Sequence, residues 1–381
     1  MGVNINPALF NVGIIGSGRM GTDLFYYLSE FGFALTWSCR TAGERERLAR
    51  TWTSRIERQR RAGILDDGAV RSKNKSIAIT DGLSGLSHCG IVIEAIAEDR
   101  EAKRGLLAKL GSILGPGAVV ATATSSLKPS ILAGDLPWRD RFCAVHFFYP
   151  VKYRDIAEVV TADWTGADTL ETVKMFLSAI KRSFIVMHER DGFILNRILL
   201  DFQAQACRLR GERGLDVRTI DSIVKGAIVP AGVFEFFDAV GIDIMYRSVL
   251  NYVEDMPDRR FYEPLIEDLE RLAGAGRLGR KSGAGFYDYG AGLPAGGAGS
   301  VGDSAGVSDQ LRALYINAAF RALERNICPQ CELERAITEY LGVDRGPFAM
   351  AEAAGRPAIR SLLEKYYAET GFGPYRPSPL L

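Results

Sequence analysis

The chain has 381 residues, 47% of them hydrophobic and 24% charged, with a formal net charge of +1. A chain of this length can bury cores for two or three domains without help from metals or disulfides, and its near-zero charge creates no field that recruits nucleic acid or an anionic membrane. Six scattered cysteines (Cys39, Cys89, Cys143, Cys207, Cys328, Cys331) accompany neither a secretory signal nor a membrane-length apolar run, so a reduced, cytoplasmic setting is expected.

Residues 10–16, FNVGIIG, read as a short apolar strand running into glycines. Gly16-Ser17-Gly18-Arg19-Met20-Gly21 then opens a helix, the context in which a glycine fingerprint binds a dinucleotide. Gly16 permits the tight turn, Gly18 lets a diphosphate approach the backbone, Gly21 lets helix and strand pack closely, and the helix start offers amides to phosphate. Further strands are expected at 33–37, 90–96, 118–124, 142–148 and 183–187, with amphipathic helices between them, notably 42–62 and 99–114. That alternation predicts an α/β fold of Rossmann type, a mostly parallel sheet covered on both faces.

The second strand ends in Ser38-Cys39-Arg40-Thr41, with no carboxylate to hold the ribose hydroxyls of NAD. Arg40 can instead face a 2′-phosphate, with Ser38 and Thr41 donating to the same group, so the expectation leans to NADP(H) over NAD(H). Cofactor contacts are expected from residues 16–21, from Cys39 and Arg40, and from Ala97 and Glu98 after the strand 90–96. The basic stretch Arg58, Arg60, Arg61, Lys73 and Lys75 reads equally as a phosphate contact or as solvated helix charge. Trp37 and Tyr27 read as packing residues.

Thr124-Ser125-Ser126 closes the strand 118–124, His146 lies in the following strand, and Glu158 comes twelve residues later. Successive parallel strands present their carboxyl ends to one crevice, and a carboxylate returning from a loop can bond one imidazole nitrogen and leave the other toward a ligand. By spacing alone the pair is unspecific: a satisfied core histidine and a surface glutamate fit as well.

After about residue 190 the strand signals fade and helical periodicity takes over. Gly290–Val307 lacks any apolar period and reads as a flexible linker, with a second helical segment from Asp309 onward. Gly232, Phe234, Asp238 and Gly241 have the offsets of Gly346, Phe348, Glu352 and Gly355, with Arg208 and Arg321 at nearly equal distances upstream, which reads as a duplicated helical half-domain. The expected organisation is a Rossmann-type NAD(P)-binding domain over 8–190, a first helical domain over 191–289, a linker over 290–307 and a second helical half over 308–381. Cys328-Pro-Gln-Cys331, lacking a second pair or a nearby histidine, reads as ordinary thiols rather than a zinc site; no metal is expected.

The segments VGIIGSGRM, IVIEAIAE, TATSSL, AVHFFYPV, DIAEVV, DGFILNRIL and GRKSGAGFYDY, in that order across residues 10–290, together resemble the L-3-hydroxyacyl-CoA dehydrogenase family. Beyond residue 307, INAAFRALE, RGPFAMAEAAG and GFGPYRPSPLL resemble the second helical half of the dehydrogenase portion in multifunctional fatty-acid oxidation proteins. The resemblance implies hydride transfer between NAD(P) and C3 of a 3-hydroxyacyl or 3-oxoacyl thioester. It implies His146 as acid/base, Glu158 as its partner, and Ser125 and Asn196 as substrate contacts. Acyl-CoA or another acyl thioester is the implied substrate, and monomer and homodimer both stay open.

Three departures stand out. Tyr149 and Ala123 stand where the family usually has asparagine, and the ribose carboxylate near Cys39 is missing. The acid/base pair is intact, which favours an active enzyme over an inactive nucleotide-binding interaction protein. A dehydrogenase of free β-hydroxy acids is the other alternative.

Overall fold

Short apolar runs that are buried on both faces pair best as parallel strands, and the helices between them then cover the sheet. The computed structural model describes residues 10–254, 256, 258–290 and 304–381. The chain divides after Gly192 into two units.

In the first unit eight strands form one sheet: β1 (Asn11–Ile15), β2 (Ala34–Cys39), β3 (Ile77–Asp81), β4 (Ile91–Glu94), β5 (Val119–Thr122), β6 (Phe142–Phe147), β7 (Ile156–Thr161) and β8 (Ser183–His188). Their order is 3-2-1-4-5-6-7-8. Strands β1 to β6 run parallel, whereas β7 pairs antiparallel with β6 and parallel with β8. β3 and β7 were not expected as strands. β3 is half-exposed, and β7 belongs to a hairpin whose connection, residues 148–155, interrupts the βα rhythm.

The helices are α1 (Arg19–Leu28), α2 (Ala42–Arg61), α3 (Asp67–Ser76), α4 (Arg100–Leu110), α5 (Pro129–Ala133) and α6 (Ala167–Ala179). One face of the sheet packs against α1, α2 and α6 through Leu24, Phe25, Leu48, Trp52 and Phe176, and the other against α4 and α5 through Leu107, Leu110 and Leu132. Trp37 is fully buried, stacks on Phe25 at 4.2 Å and donates its indole N–H to the Gly16 carbonyl at 2.8 Å, so the packing residue also braces the glycine turn. Tyr27 packs on the same core and donates to Ile180 O.

The second unit is helical: α7 (Ile194–Arg213), α8 (Val217–Ala227), α9 (Val233–Val240), α10 (Ile242–Val253), α11 (Glu263–Gly274), α12 (Ser304–Leu323), α13 (Gln330–Leu341), α14 (Pro347–Ala354) and α15 (Arg356–Thr370). α12 begins at Ser304, so residues 304–307 form helix rather than linker; residues 291–303 of the expected linker lie outside the described residues.

The duplication is visible as a repeated capping device. Asp221 on α8 accepts the Phe234 and Glu235 amides at 2.9 and 3.0 Å at the start of α9. Glu334 on α13 accepts the Gly346, Phe348 and Ala349 amides at 3.0 to 3.2 Å at the start of α14. Gly232 and Gly346 are required for this approach: a Cβ there would stand 2.2 Å from Asp221 Cγ and 2.5 Å from Glu334 Oε2. α7 and α12, the long helices that open the two halves, pack against each other. Among the described residues no helix is long and apolar enough to cross a membrane.

Candidate active site

One register row crosses the sheet. Thr80 pairs with Ser38, Ser38 with Ile15, Ile15 with Glu94, Glu94 with Thr122, and Thr122 with Ala144. Arg40, Gly16 and Gly18 of the glycine turn, Ala97, Glu98, Ser125 and His146 all follow that row within four residues on their own segments. Parallel pairing therefore gathers them along the carboxyl edge, where open α/β sheets bind ligands at the β1/β4 switch point.

The glycine turn fits a dinucleotide. Gly16 has φ +109, and a Cβ there would stand 2.5 Å from Ala95 O; a Cβ at Gly21 would stand 2.2 Å from Gly16 O. At Gly18 a Cβ would meet nothing within 4 Å, so this glycine leaves approach space instead of serving packing. α1 starts at Arg19 with no side-chain cap and no acidic residue in its first turn, the electrostatic setting that favours phosphate. Met20 packs partly buried on the core.

The end of β2 differs from the expectation in detail. Ser38 is buried and donates to Gly82 O at 2.7 Å, so its hydroxyl proton is committed away from a ribose phosphate, while Thr41 is the N-cap of α2 and its oxygen accepts from Glu44 N. Cys39 is also buried, its thiol directed at Thr41 O and Thr80 O, and burial raises its pKa. A carboxylate does reach this place. Glu44, in the first turn of α2, accepts from Ser17 Oγ and from the Arg40 amide at 3.1 Å. The Ser17 hydrogen bond holds its pKa below the ordinary carboxylate value. The sequence reading missed it because helix capping, not strand position, brings it back to the turn.

Past β4, Glu98 organises the turn after β5. It accepts from Thr124 Oγ1, from the Ser125 amide at 3.1 Å and from Ser126 Oγ at 3.0 Å. Thr124 Oγ1 in turn accepts the Ser126 and Leu127 amides. Beneath this turn Glu94 and Lys103, both buried, bond at 2.8 and 2.9 Å, with Ile96 N at 2.7 Å and Thr122 Oγ1 also on Glu94. This network was not anticipated; Glu94 and Lys103 are nine residues apart and meet only when α4 folds onto the strand, and Thr122 is 28 residues from Glu94.

His146 sits directly opposite Glu158 in the antiparallel β6/β7 register. Opposite residues share a face of the sheet, and His146 Nδ1 lies 2.6 Å from Glu158 Oε2 with both side chains buried. The carboxylate thus comes from a strand, not from a loop. The Phe148 ring lies 4.3 Å from the imidazole, and Tyr149, half-exposed, stands over Arg19.

In the helical unit Asn196 lies on α7. Its amide donates to Tyr252 OH at 3.1 Å and accepts from Tyr340 OH at 2.9 Å, one tyrosine from each helical half. Three residues of the basic stretch are tied up locally: Arg60 and Arg61 hold Glu57, and Lys73 donates to Ser29 O. Among the described residues no group of three or more His, Cys, Asp or Glu is placed to hold a metal ion.

A doubly flanked, mostly parallel sheet with this turn, followed by a helical unit, defines a dinucleotide-dependent oxidoreductase of the Rossmann class. Residues 11–190 match the profile described as 3-hydroxyacyl-CoA dehydrogenase, NAD binding domain, and residues 192–289 and 307–381 match its C-terminal domain. The chain belongs to the 3-hydroxyacyl-CoA dehydrogenase family and is an NAD(P)-dependent oxidoreductase acting on a 3-hydroxyacyl-CoA-like substrate. It is 31% identical to a 3-hydroxybutyryl-CoA dehydrogenase of Bradyrhizobium diazoefficiens over 280 residues, 73% of this chain and 94% of that one. The crystal structure of (S)-3-hydroxybutyryl-CoA dehydrogenase from Ralstonia eutropha covers 74% of this chain and 99% of its own, at 27% identity and a TM-score of 0.66. That of 3-hydroxybutyryl-CoA dehydrogenase from Escherichia coli K12 covers 97% of both chains with a TM-score of 0.83 at 22% identity, a likeness of fold that extends through the second helical half.

Proposed function

We propose that the protein interconverts a 3-hydroxyacyl thioester and its 3-oxoacyl counterpart, with His146 as acid/base and Glu158 as its orienting partner. The observation that carries this reading is the buried 2.6 Å bond between His146 Nδ1 and Glu158 Oε2, at the same sheet edge as the glycine turn. With Nδ1 committed to the carboxylate, proton exchange with substrate is assigned to Nε2. His146 takes the proton of the C3 hydroxyl during oxidation and returns it during reduction, and Glu158 stabilises the imidazolium formed in between. When bound, NAD(P) accepts or delivers the hydride at C3.

Ser125, on the turn held by Glu98, is assigned to the reacting oxygen or the neighbouring carbonyl. Asn196, its amide fixed by two tyrosine hydroxyls, is assigned to substrate in the same reading. Residues 16–21, the Cys39–Arg40 strand end, Ala97 and Glu98 are assigned to the cofactor. The finer reading, NADP(H) over NAD(H), rests on Arg40 and is opposed by the Glu44 carboxylate, which repels a 2′-phosphate.

The test is a spectrophotometric assay with acetoacetyl-CoA and longer 3-oxoacyl thioesters, comparing NADH with NADPH. Oxidation of the reduced cofactor is expected. Turnover of free 3-oxo acids but not thioesters supports the β-hydroxy-acid alternative, and cofactor binding without turnover supports an inactive binding protein. Equal use of both cofactors by the wild type removes the Arg40 reading.

A further inference from the structure

Two unusual residues of the sheet edge meet in one contact. Arg19 is the first residue of α1, immediately after Gly18, and its guanidinium carbon lies 4.0 Å from the centroid of the Tyr149 ring. Tyr149 is the residue that stands where the resemblance expects asparagine, three positions beyond His146.

Helical side chains lean toward the helix N-terminus, so a long residue at the first position of α1 reaches back over the glycine turn. An exposed arginine there surrenders considerable rotamer freedom when it binds an anion. Stacking on a fixed ring removes part of that freedom in advance. The stack uses the face of the guanidinium, while its N–H donors lie along its edge, the geometry that suits phosphate oxygens.

Tyr149 is a braced platform because the residues that follow it directly are clipped to α1, to the turn after it and to Arg182. Val151 N donates to Asp23 Oδ2 at 2.6 Å, Lys152 pairs with Glu30 at 3.1 Å, and Arg182 donates to Val151 O at 2.7 Å. These contacts hold Val151 and Lys152, two and three residues past Tyr149, beside the helix that carries Arg19, on the connection that follows the strand carrying His146.

We propose that Arg19 is a side-chain ligand of the cofactor's diphosphate and that Tyr149 is the positioning residue that holds it there. The exchange of asparagine for tyrosine then adds a platform at the turn instead of only removing an amide. The proposal rests on the nucleotide-binding reading above and adds a cationic side chain to a turn that otherwise binds phosphate through backbone amides.

The experiment measures dissociation constants of NADH, ADP-ribose, adenosine and acetoacetyl-CoA by calorimetry for the wild type, Arg19→Gln, Tyr149→Phe, Tyr149→Ala and Arg19→Gln/Tyr149→Ala, with melting temperatures confirming the fold. Arg19→Gln is expected to weaken ADP-ribose and NADH about 10-fold and to leave adenosine and acetoacetyl-CoA unchanged. Tyr149→Ala is expected to weaken ADP-ribose about threefold, Tyr149→Phe to bind as the wild type does, and the double variant to bind no worse than Arg19→Gln alone.

Wild-type ADP-ribose affinity in Arg19→Gln overturns the proposal, as does a loss confined to acetoacetyl-CoA. A Tyr149→Ala loss of equal size in the Arg19→Gln background overturns the positioning role. Failure of the wild type itself to bind ADP-ribose or NADH instead defeats the nucleotide-binding reading, so the two failures are separable.

Discussion

Two buried polar pairs on the sheet of the first unit, Glu94–Lys103 and His146–Glu158, differ in what each can do. Glu94 and Lys103 are 0% and 1% exposed, and the Glu94 carboxylate also takes a backbone amide and the Thr122 hydroxyl. The Lys103 ammonium faces Glu94 through both oxygens and Glu98 at 3.6 Å. Lys103 is matched by two carboxylates and Glu94 by the ammonium, a backbone amide and a hydroxyl, so the pair ties α4 to the carboxyl ends of β4 and β5. His146 and Glu158 are 5% and 0% exposed, yet one partner is an imidazole, the side-chain type that gains and loses a proton under ordinary conditions. Burial alone therefore does not separate the proposed site from the strut; the proton chemistry open to the imidazole is what the proposal rests on.

The largest expected effect is on the strut. Lys103→Met leaves Glu94 buried opposite a methionine and is expected to cost about 3–5 kcal/mol of stability, read by denaturant unfolding. Glu94→Gln/Lys103→Met removes both charges and recovers most of the loss. Wild-type stability in the single variant breaks the comparison from that side.

Glu158→Gln sharpens it from the other. The amide keeps the volume but cannot stabilise the imidazolium, so kcat is expected to fall about 10- to 100-fold, with a melting temperature much closer to wild type than that of Lys103→Met. A collapse of stability with undiminished activity per folded molecule contradicts the division of roles.

The helical halves offer a smaller version of the contrast. Asp221 caps α9 and also accepts from Tyr287 OH at 2.7 Å, whereas Glu334 caps α14 from a half-buried position. Asp221→Ala is expected to cost about 2 kcal/mol and Glu334→Ala about 1 kcal/mol, measured by thermal unfolding; the reverse order would show that the second half depends more heavily on its cap.

The smallest effect is at the cofactor turn, where Glu44→Gln removes a negative charge and is expected to shift the ratio of NADPH to NADH affinity toward NADPH by roughly threefold to tenfold. An unchanged ratio removes Glu44 from the ribose end of the site.

The glycine turn was legible in the sequence because its requirements are local: positive φ at Gly16, open space at Gly18 and close packing at Gly21 each fall on one residue. The alternation of apolar runs and amphipathic helices gave the fold class for the same reason. What stayed hidden depends on folding back. By spacing alone Glu158 is unspecific and only the resemblance pairs it with His146; its place opposite His146 follows from residues 148–155 being a hairpin connection. Glu44 returns to the turn through a helix cap, against the expectation that no carboxylate stands there.

The helical repeat showed its glycines and phenylalanines, but its capping carboxylates did not stand out. Asp221 precedes Phe234 by 13 residues and Glu334 precedes Phe348 by 14, with the longer glutamate spanning the difference. Side-chain length compensates for register there, which an offset comparison does not detect.

The most direct test of the central claim is the turnover of acetoacetyl-CoA by His146→Ala, with NADH affinity and melting temperature measured on the same preparation. The account predicts a fall in kcat of at least about 100-fold while cofactor affinity and fold stay near wild type. Turnover equal to that of the wild type would contradict it.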